Sequence, residues 1–125
     1  MIFGIGTDLV NLDRIKAIKS LVHFAKKILG PQELLQFQEI SKGNQANYLA
    51  KQFAAKEAIA KAFGSGFGVP VFPQGIQVLR DDLGKPKILF SNEIESYAED
   101  LGIIKSHVSL SDESNHVIAF AVLEA

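Results

Sequence analysis

The sequence predicts an α+β fold in which a largely antiparallel sheet packs against a long central helix and several shorter helices. Residues 44–63 are rich in alanine and contain neither glycine nor proline, which favours one long helix. Two pairs of short apolar segments are separated by turn residues, a pattern typical of β-hairpins and therefore of antiparallel pairing. The 125 residues are expected to form a single domain (1–125) around one hydrophobic core.

The first half of the chain is predicted to contain one strand and three helical segments. Residues 2–10 combine β-branched and aromatic residues with two glycines, which predicts a strand that another backbone or a ligand approaches closely. Residues 14–27 predict a basic amphipathic helix with an interruption near His23. Pro31 suits the first turn of a further helix, which the central helix then follows.

The second half is predicted to contain two hairpins separated by a helix. The predicted segments are strands at 76–80 and 88–90, a helix at 92–101, and strands at 103–110 and 117–123. The last strand is almost continuously apolar, which suggests burial on both faces, either within the domain or at an interface between subunits.

Composition excludes several classes of protein. The chain has no cysteine, so disulfide frameworks and thiolate chemistry are excluded. No apolar run reaches the roughly 18 residues of a membrane span. Residues 1–4 lack the basic region of a signal peptide. We therefore expect a cytoplasmic protein that does not insert into a membrane.

Charge is distributed unevenly along the chain. Residues 1–61 carry nine Lys/Arg and five Asp/Glu, whereas residues 62–125 carry four and nine. Much of the positive charge lies at residues 14–27, which contain five Lys/Arg and no acid. This basic helix is either an ordinary solvated surface or a docking surface for an acidic protein, a nucleic acid or an anionic membrane.

Glu57 and Lys61 are the unusual residues of the central helix. They are four residues apart and so lie on the same side of it. Glu57 falls beside Phe53 and Ala60 rather than on a polar face, and a buried carboxylate must be paired, protonated or bound to metal. Spacing alone leaves two interpretations open: a structural Glu–Lys pair, or a charged site within a core helix.

Asp8, which closes the first apolar run, and His107, which opens the penultimate strand, are the other candidate site residues. A turn aspartate at a strand end is the simpler interpretation of Asp8. Two carboxylates and a lysine nevertheless suit a magnesium-assisted reaction of phosphate. Mg²⁺ takes one or two carboxylates together with water and phosphate oxygens, and a lysine neutralises the charge that develops. Whether Asp8, Glu57 and Lys61 meet is a question for the structure.

Four motifs resemble those of the holo-acyl-carrier-protein synthases, the small 4'-phosphopantetheinyl transferases. In chain order they are GIGTDLV at residues 4–10 with Arg14-Ile15, FAAKEA at 53–58 with KAFGSG at 61–66, GKP at 84–86, and HVSLS at 107–111. Their order and separations fit the family, and together they span nearly the whole chain. The second motif is the most specific.

The resemblance implies the 4'-phosphopantetheinyl transferase fold and one reaction. Phosphopantetheine moves from coenzyme A to a serine hydroxyl of apo acyl carrier protein, and adenosine 3',5'-bisphosphate is released. In such a site Asp8 and Glu57 would hold Mg²⁺ against the diphosphate of coenzyme A. Lys61 would contact that diphosphate, which makes Glu57 and Lys61 the expected catalytic residues. Three further residues would contact coenzyme A: Gly66 beside the pantetheine diphosphate, Pro86 near the adenine, and His107 near the nucleotide end.

The resemblance also implies partners. Family members of this size form homotrimers with active sites between subunits, which would explain the apolar last strand. Acyl carrier proteins are acidic, so Arg14 and the lysines of the basic helix would dock them electrostatically. No nucleic acid and no membrane is expected as a partner.

Two positions depart from the family pattern. Gln52 stands where arginine is usual, and that arginine is implied to reach a phosphate of coenzyme A. Lys51 and Lys42 are the candidates to replace it. Asp112 stands where many members have histidine, so no role of that histidine carries over to this chain.

Two other functions and two general bases stay open. One alternative is a different magnesium-dependent enzyme that acts on a nucleotide or diphosphate. The other is a non-catalytic oligomeric module that binds an acidic protein or nucleic acid through the basic helix, although such a module needs no carboxylate and lysine on an apolar helix. For a transferase, the base is either Glu57 or a metal-bound water.

Overall fold

A computed structural model describes the whole chain, residues 1–125, as five strands and five α-helices. In chain order they are β1 (Ile2–Asn11), α1 (Leu12–Lys16), α2 (Leu21–Ile28), α3 (Pro31–Glu39), α4 (Lys42–Phe63), β2 (Ile76–Arg80), β3 (Pro86–Phe90), α5 (Asn92–Asp100), β4 (Lys105–Glu113) and β5 (His116–Glu124). A 3₁₀ turn at Pro73–Gly75 precedes β2. The α+β class predicted from the sequence is confirmed.

The strands form two antiparallel sheets rather than a single one. The larger sheet has the order β1-β5-β4, and the smaller is the β2-β3 hairpin. In the larger sheet Gly6 pairs with Ala121 and Asp8 with Ala119. The turn between β4 and β5 is short because Ser114 adopts a left-handed conformation with φ of 52°. Both predicted hairpins are therefore present, and β4 and β5 extend further into the predicted turn.

Helix α4 is central to the molecule and packs against β1 and β5. Its 22 residues make it about 33 Å long. Twelve of these residues are buried and seven of the twelve are alanine, so neighbouring backbones approach it closely. The helix ends at Gly64, whose φ of 84° is one that residues with a side chain rarely adopt.

The larger sheet buries only its inner face. On β5, Ala119 and Ala121 are fully buried against the core, whereas Ile118 and Phe120 on the other face are 46% and 42% exposed. The exposed apolar surface continues onto β1 at Ile5. Of the two explanations for the apolar β5 sequence, burial on both faces within the domain is therefore wrong, because the domain covers one face only.

The basic segment is two helices, α1 and α2, which are separated at residues 17–20 rather than near His23. Ser20 begins α2, because its Oγ accepts a hydrogen bond of 3.1 Å from the backbone N–H of His23. None of the helices combines the length and the apolar character that crossing a membrane requires.

Candidate active site

Strand β1 crosses α4 at very short range because two of its inward positions are glycine. A Cβ at Gly4 would lie 2.0 Å from the carbonyl oxygen of Ala62, and one at Gly6 would lie 2.0 Å from that of Ala58. No real side chain fits at either position. The prediction of close approach at these glycines is confirmed, and the approaching group is the backbone of α4.

This crossing brings Asp8 to Lys61. Side chains alternate along a strand, so Asp8 lies on the same face as Gly4 and Gly6 and faces the helix. The Lys61 ammonium donates hydrogen bonds to Asp8 Oδ1 at 3.1 Å and to the carbonyl oxygen of Thr7 at 2.9 Å. The Lys61 side chain is 52% exposed and that of Asp8 is 17% exposed, so solvent and ligands reach the pair.

Glu57 joins the same site from the preceding turn of α4. It lines a cavity of about 430 Å³ together with Asp8. Its carboxylate takes part in none of the ion pairs of the chain. Partial burial raises the pKa of the Glu57 carboxyl, the negative charge of Asp8 raises it further, and Lys61 opposes both. The expectation of a buried Glu57 is wrong, because this side chain is half-buried at the wall of an open cavity.

The two carboxylates fit a divalent cation that needs few protein ligands. No group of three or more His, Cys, Asp and Glu side chains lies close enough to form a metal cage. Burial first and the nearby negative charge of Asp8 second raise the pKa of Glu57, so a cation beside the two carboxylates would favour the ionised form of Glu57. Mg²⁺ commonly takes one or two carboxylates and completes its octahedron with water and phosphate oxygens, so this donor set suits it.

The fully buried charge on α4 is Lys56 and not Glu57. Lys56 and Glu33 both have fully buried side chains, and the Lys56 ammonium donates to Glu33 Oε1 at 2.6 Å. It also donates to the carbonyl oxygens of Pro73, at 3.0 Å, and Ile76, so all three of its N–H groups have acceptors. Burial lowers the pKa of Lys56, and Glu33 opposes that shift.

Sequence reasoning missed this buried pair. Lys56 and Glu57 are adjacent in the same motif, and no local pattern distinguishes the buried charge from the accessible one. The partner Glu33 is 23 residues away on α3, so only the tertiary structure pairs it with Lys56. Gln52 is fully buried with them, and its side-chain amide donates to Glu33 Oε2 and to the carbonyl oxygen of Val78.

None of the other predicted coenzyme A contacts lines the cavity of Asp8 and Glu57 within one chain. Pro86 lines a second cavity, also of about 430 Å³, together with residues of β4. Gly66 follows the end of α4 with φ of 63°. His107 lies on β4, where its Nε2 is 2.7 Å from Glu124 Oε2. This contact lowers the pKa of the Glu124 carboxyl.

Arg14 connects the cavity to the basic surface. It lines the cavity of Asp8 and Glu57, and the same cavity has apolar walls that include Ile15 and Phe53. The basic side chains of the surface are all exposed, and none has a carboxylate partner; they are Arg14, Lys16, Lys19, Lys26 and Lys27. An anionic partner that approaches the cavity therefore meets uncompensated positive charge.

Comparisons with known proteins agree on one family. The family model described as the 4'-phosphopantetheinyl transferase superfamily matches residues 4–121. A curated relative, holo-[acyl-carrier-protein] synthase of Neisseria meningitidis, is 45% identical over 99% of each chain. The crystal structure of a Neisseria meningitidis holo-[acyl-carrier-protein] synthase superposes with a TM-score of 0.91 at 44% identity and covers 100% of each chain. The Bacillus anthracis enzyme in complex with CoA (3',5'-ADP) gives 0.83 at 36% identity, over 100% of this chain and 98% of that one.

Proposed function

This chain belongs to the 4'-phosphopantetheinyl transferase superfamily, and we propose that it is a holo-[acyl-carrier-protein] synthase. It moves 4'-phosphopantetheine from coenzyme A to a serine of apo acyl carrier protein. The observation that carries the proposal is the convergence of Asp8, Glu57 and Lys61 where β1 crosses α4. The resemblance of the sequence motifs to this family agrees with the full-length relatives, which bear the same name.

The reaction exchanges one phosphorus–oxygen bond for another. The serine oxygen attacks the phosphorus that carries pantetheine, the bond to the bridging oxygen of the diphosphate breaks, and adenosine 3',5'-bisphosphate leaves. Lys61 stabilises the negative charge that grows on the diphosphate oxygens, because its ammonium is exposed at the site. The group that accepts the serine proton is either Glu57, through a carboxylate oxygen that does not hold the metal, or a water molecule at the site.

Magnesium is the proposed cofactor, with Asp8 and Glu57 as its protein ligands. When bound, Mg²⁺ would neutralise charge on the diphosphate and so make it a better leaving group. Asp8 is held in place by its contact with Lys61, and the glycines of β1 fix the strand against α4. The chain therefore positions both carboxylates through the same short crossing.

The direct test is a transfer assay with the full chain. The purified protein is incubated with coenzyme A, Mg²⁺ and apo acyl carrier protein, and the mass of the carrier protein is measured. We expect the mass of phosphopantetheine to be added to one serine and expect a chelator to prevent it. An unchanged carrier-protein mass, with Mg²⁺ and coenzyme A in excess, would contradict the proposal.

We also propose a homotrimer with active sites between subunits. The outer face of the larger sheet exposes apolar side chains on both β1 and β5, namely Phe3, Ile5, Leu9, Ile118 and Phe120. A surface of this kind is usually covered by another protein. His107, which is expected near the nucleotide, lies on a strand of the same sheet. Sedimentation equilibrium should give three times the 13.6 kDa mass of the chain.

A cytoplasmic location stays a proposal that rests on composition.

Arg14 and the basic surface are proposed to dock the acidic carrier protein. We expect Arg14→Glu to raise the KM for apo acyl carrier protein by about 10-fold or more and to raise the KM for coenzyme A by much less. The effect should weaken as salt increases, because exposed charges are screened. Lys87→Glu, a reversal of an exposed charge on β3, is the matched control. An equal rise in both KM values would rule out a docking role for Arg14.

A further inference from the structure

We infer that Asn115, in the turn between β4 and β5, is a positioning residue for the docking of the acidic carrier protein. It fixes the start of the short helix α1, which presents Arg14, and it engages the carboxylate of Asp13. The inference rests on the proposed function. Sequence reasoning did not single out Asn115, because this residue is 102 positions away from Asp13 in the chain.

Helix α1 is too short to fix its own position. Its five residues form little more than one turn, and an isolated helix of that length is unstable in water. Leu12 and Ile15 are buried and hold its inner side against the core. The first N–H groups of a helix have no acceptor within the helix, so the start of α1 needs a contact from elsewhere in the chain.

The turn between β4 and β5 provides that contact because of the sheet register. Asn11, the last residue of β1, pairs with His116, so Asn115 lies beside the first residues of α1. The backbone N–H of Leu12 donates to the carbonyl oxygen of Asn115 at 2.6 Å. The side-chain amide of Asn115 donates to Asp13 Oδ2 at 3.2 Å. One residue of the turn therefore binds the first two residues of the helix.

The second hydrogen bond also engages the one acid of the basic segment. Asp13 is the single Asp or Glu among residues 9–32, which carry five Lys/Arg. Its backbone N–H donates to Asn11 Oδ1 at 2.9 Å, its carboxylate accepts from Asn115, and it forms no ion pair. A released Asp13 carboxylate would be three residues from Lys16, a spacing at which opposite charges on a helix attract each other. Asn115 therefore helps to keep the basic surface uncompensated.

Helix α1 connects this anchor to the reacting groups. Arg14 is the third residue of α1 and lines the same cavity as Asp8 and Glu57. A shift at the start of a one-turn helix would therefore move the Arg14 guanidinium relative to that cavity. Asn115 does not line the cavity, so it acts on docking through α1 and not by contact with the reacting groups.

Steady-state kinetics of Asn115→Ala test the inference. We expect the KM for apo acyl carrier protein to rise by about 3- to 10-fold, because α1 loses an anchor and Asp13 is released. The kcat and the KM for coenzyme A should change by less than about 2-fold, because the reacting groups are untouched. Asn92→Ala, which truncates an exposed asparagine at the start of α5, is the matched control and should leave all three values unchanged.

An exchange of the two side chains separates positioning from direct contact with the carrier protein. In the double variant Asp13→Asn with Asn115→Asp, the amide donor and the carboxylate acceptor change places, and the net charge is unchanged. The hydrogen bond forms again, so we expect a KM for carrier protein within about 2-fold of the native value. Asn115→Asp alone places two carboxylates opposite each other and should have the highest KM of the series.

Amide hydrogen exchange measures the anchoring of α1 without any substrate. The backbone N–H of Leu12 should exchange faster in Asn115→Ala than in the native chain, because the start of the helix opens more often. In the double variant its exchange should return towards the native rate. The urea midpoint should stay close to that of the native chain in both variants, because the Asn115 side chain is exposed.

Several outcomes would overturn the inference. They are an unchanged KM for carrier protein in Asn115→Ala, an equal rise of the KM for coenzyme A, a double variant as impaired as Asn115→Ala, or an unchanged exchange rate at Leu12. Transfer by the native chain with a KM for carrier protein that is independent of Asn115 contradicts the inference alone. Binding of apo acyl carrier protein that depends on Asn115, measured by calorimetry, without any transfer contradicts the proposed function alone.

Discussion

Helix α4 carries two lysine–carboxylate pairs that differ in almost every physical respect. Lys56 and Glu33 are fully buried, and every donor and acceptor of the pair is used within the chain. Lys61 and Asp8 are accessible, and the adjacent Glu57 has no partner. The first pair connects α4 to α3 and to the turn before β2. The second has free charge that a substrate or metal can use.

The comparison shows that proximity of opposite charges does not identify a functional site. A buried ion pair must satisfy all its hydrogen bonds internally, because unpaired charge in the core is costly, and so it has nothing left for a ligand. A pair at a ligand-binding site, in contrast, retains charge that other groups of the chain do not neutralise. At this site Glu57 forms no ion pair, and burial together with the charge of Asp8 raises the pKa of its carboxyl.

The distinction between the two pairs would fail most clearly if Lys56 could be replaced without loss of stability. We expect Lys56→Met to lower the free energy of unfolding by about 3–5 kcal/mol, because Glu33 would remain buried without a cation. Lys61→Met should cost under about 1 kcal/mol, since its side chain is 52% exposed. Urea denaturation measures both. The double variant Lys56→Met with Glu33→Gln should recover part of the loss. Equal effects of the two lysine substitutions would contradict the distinction.

Activity should respond in the opposite order. We expect Lys61→Met to lower the rate of transfer by about 100- to 1,000-fold, because no other cation of α4 reaches the Asp8 site. The urea midpoint should stay close to that of the native chain. Steady-state kinetics at saturating coenzyme A measure the rate. Near-normal turnover in this variant would mean that Lys61 is a structural partner of Asp8 and nothing more.

The smallest expected effect is a shift in the titration of Glu57. Burial and Asp8 raise the pKa of its carboxyl, so the folded chain holds that proton more tightly than the unfolded chain does. Ionised Glu57 therefore costs stability above the raised pKa, and the cost disappears as the pH falls below it. In the metal-free protein, carboxyl NMR should show a lower pKa for Glu57 in Asp8→Asn and a higher one in Lys61→Met. Shifts of the Glu57 pKa in the opposite directions would mean that the charges of Asp8 and Lys61 do not act on Glu57 as the structure indicates.

Local sequence patterns were enough to predict most of the fold. The alanine-rich run without glycine or proline predicted α4, Pro31 marked the start of α3, and paired apolar segments predicted both hairpins. The predictions were wrong where a single contact determines where a helix begins. Ser20 caps α2 and so moves the break in the basic segment. The division of the strands into two sheets depends on contacts that no hairpin pattern contains.

The sequence by itself determined the family, through motifs that span nearly the whole chain, as the family match at residues 4–121 does, and it determined which residues are candidates for the site. The tertiary structure decided which charges are available. Asp8 contacts Lys61 because two glycines let β1 approach α4 closely. Lys56 is unavailable to a ligand because its ammonium is buried and donates to Glu33 on another helix. Burial and pairing depend on neighbours that are distant in the chain, so adjacent charged residues such as Lys56 and Glu57 acquire opposite roles only when the chain is folded.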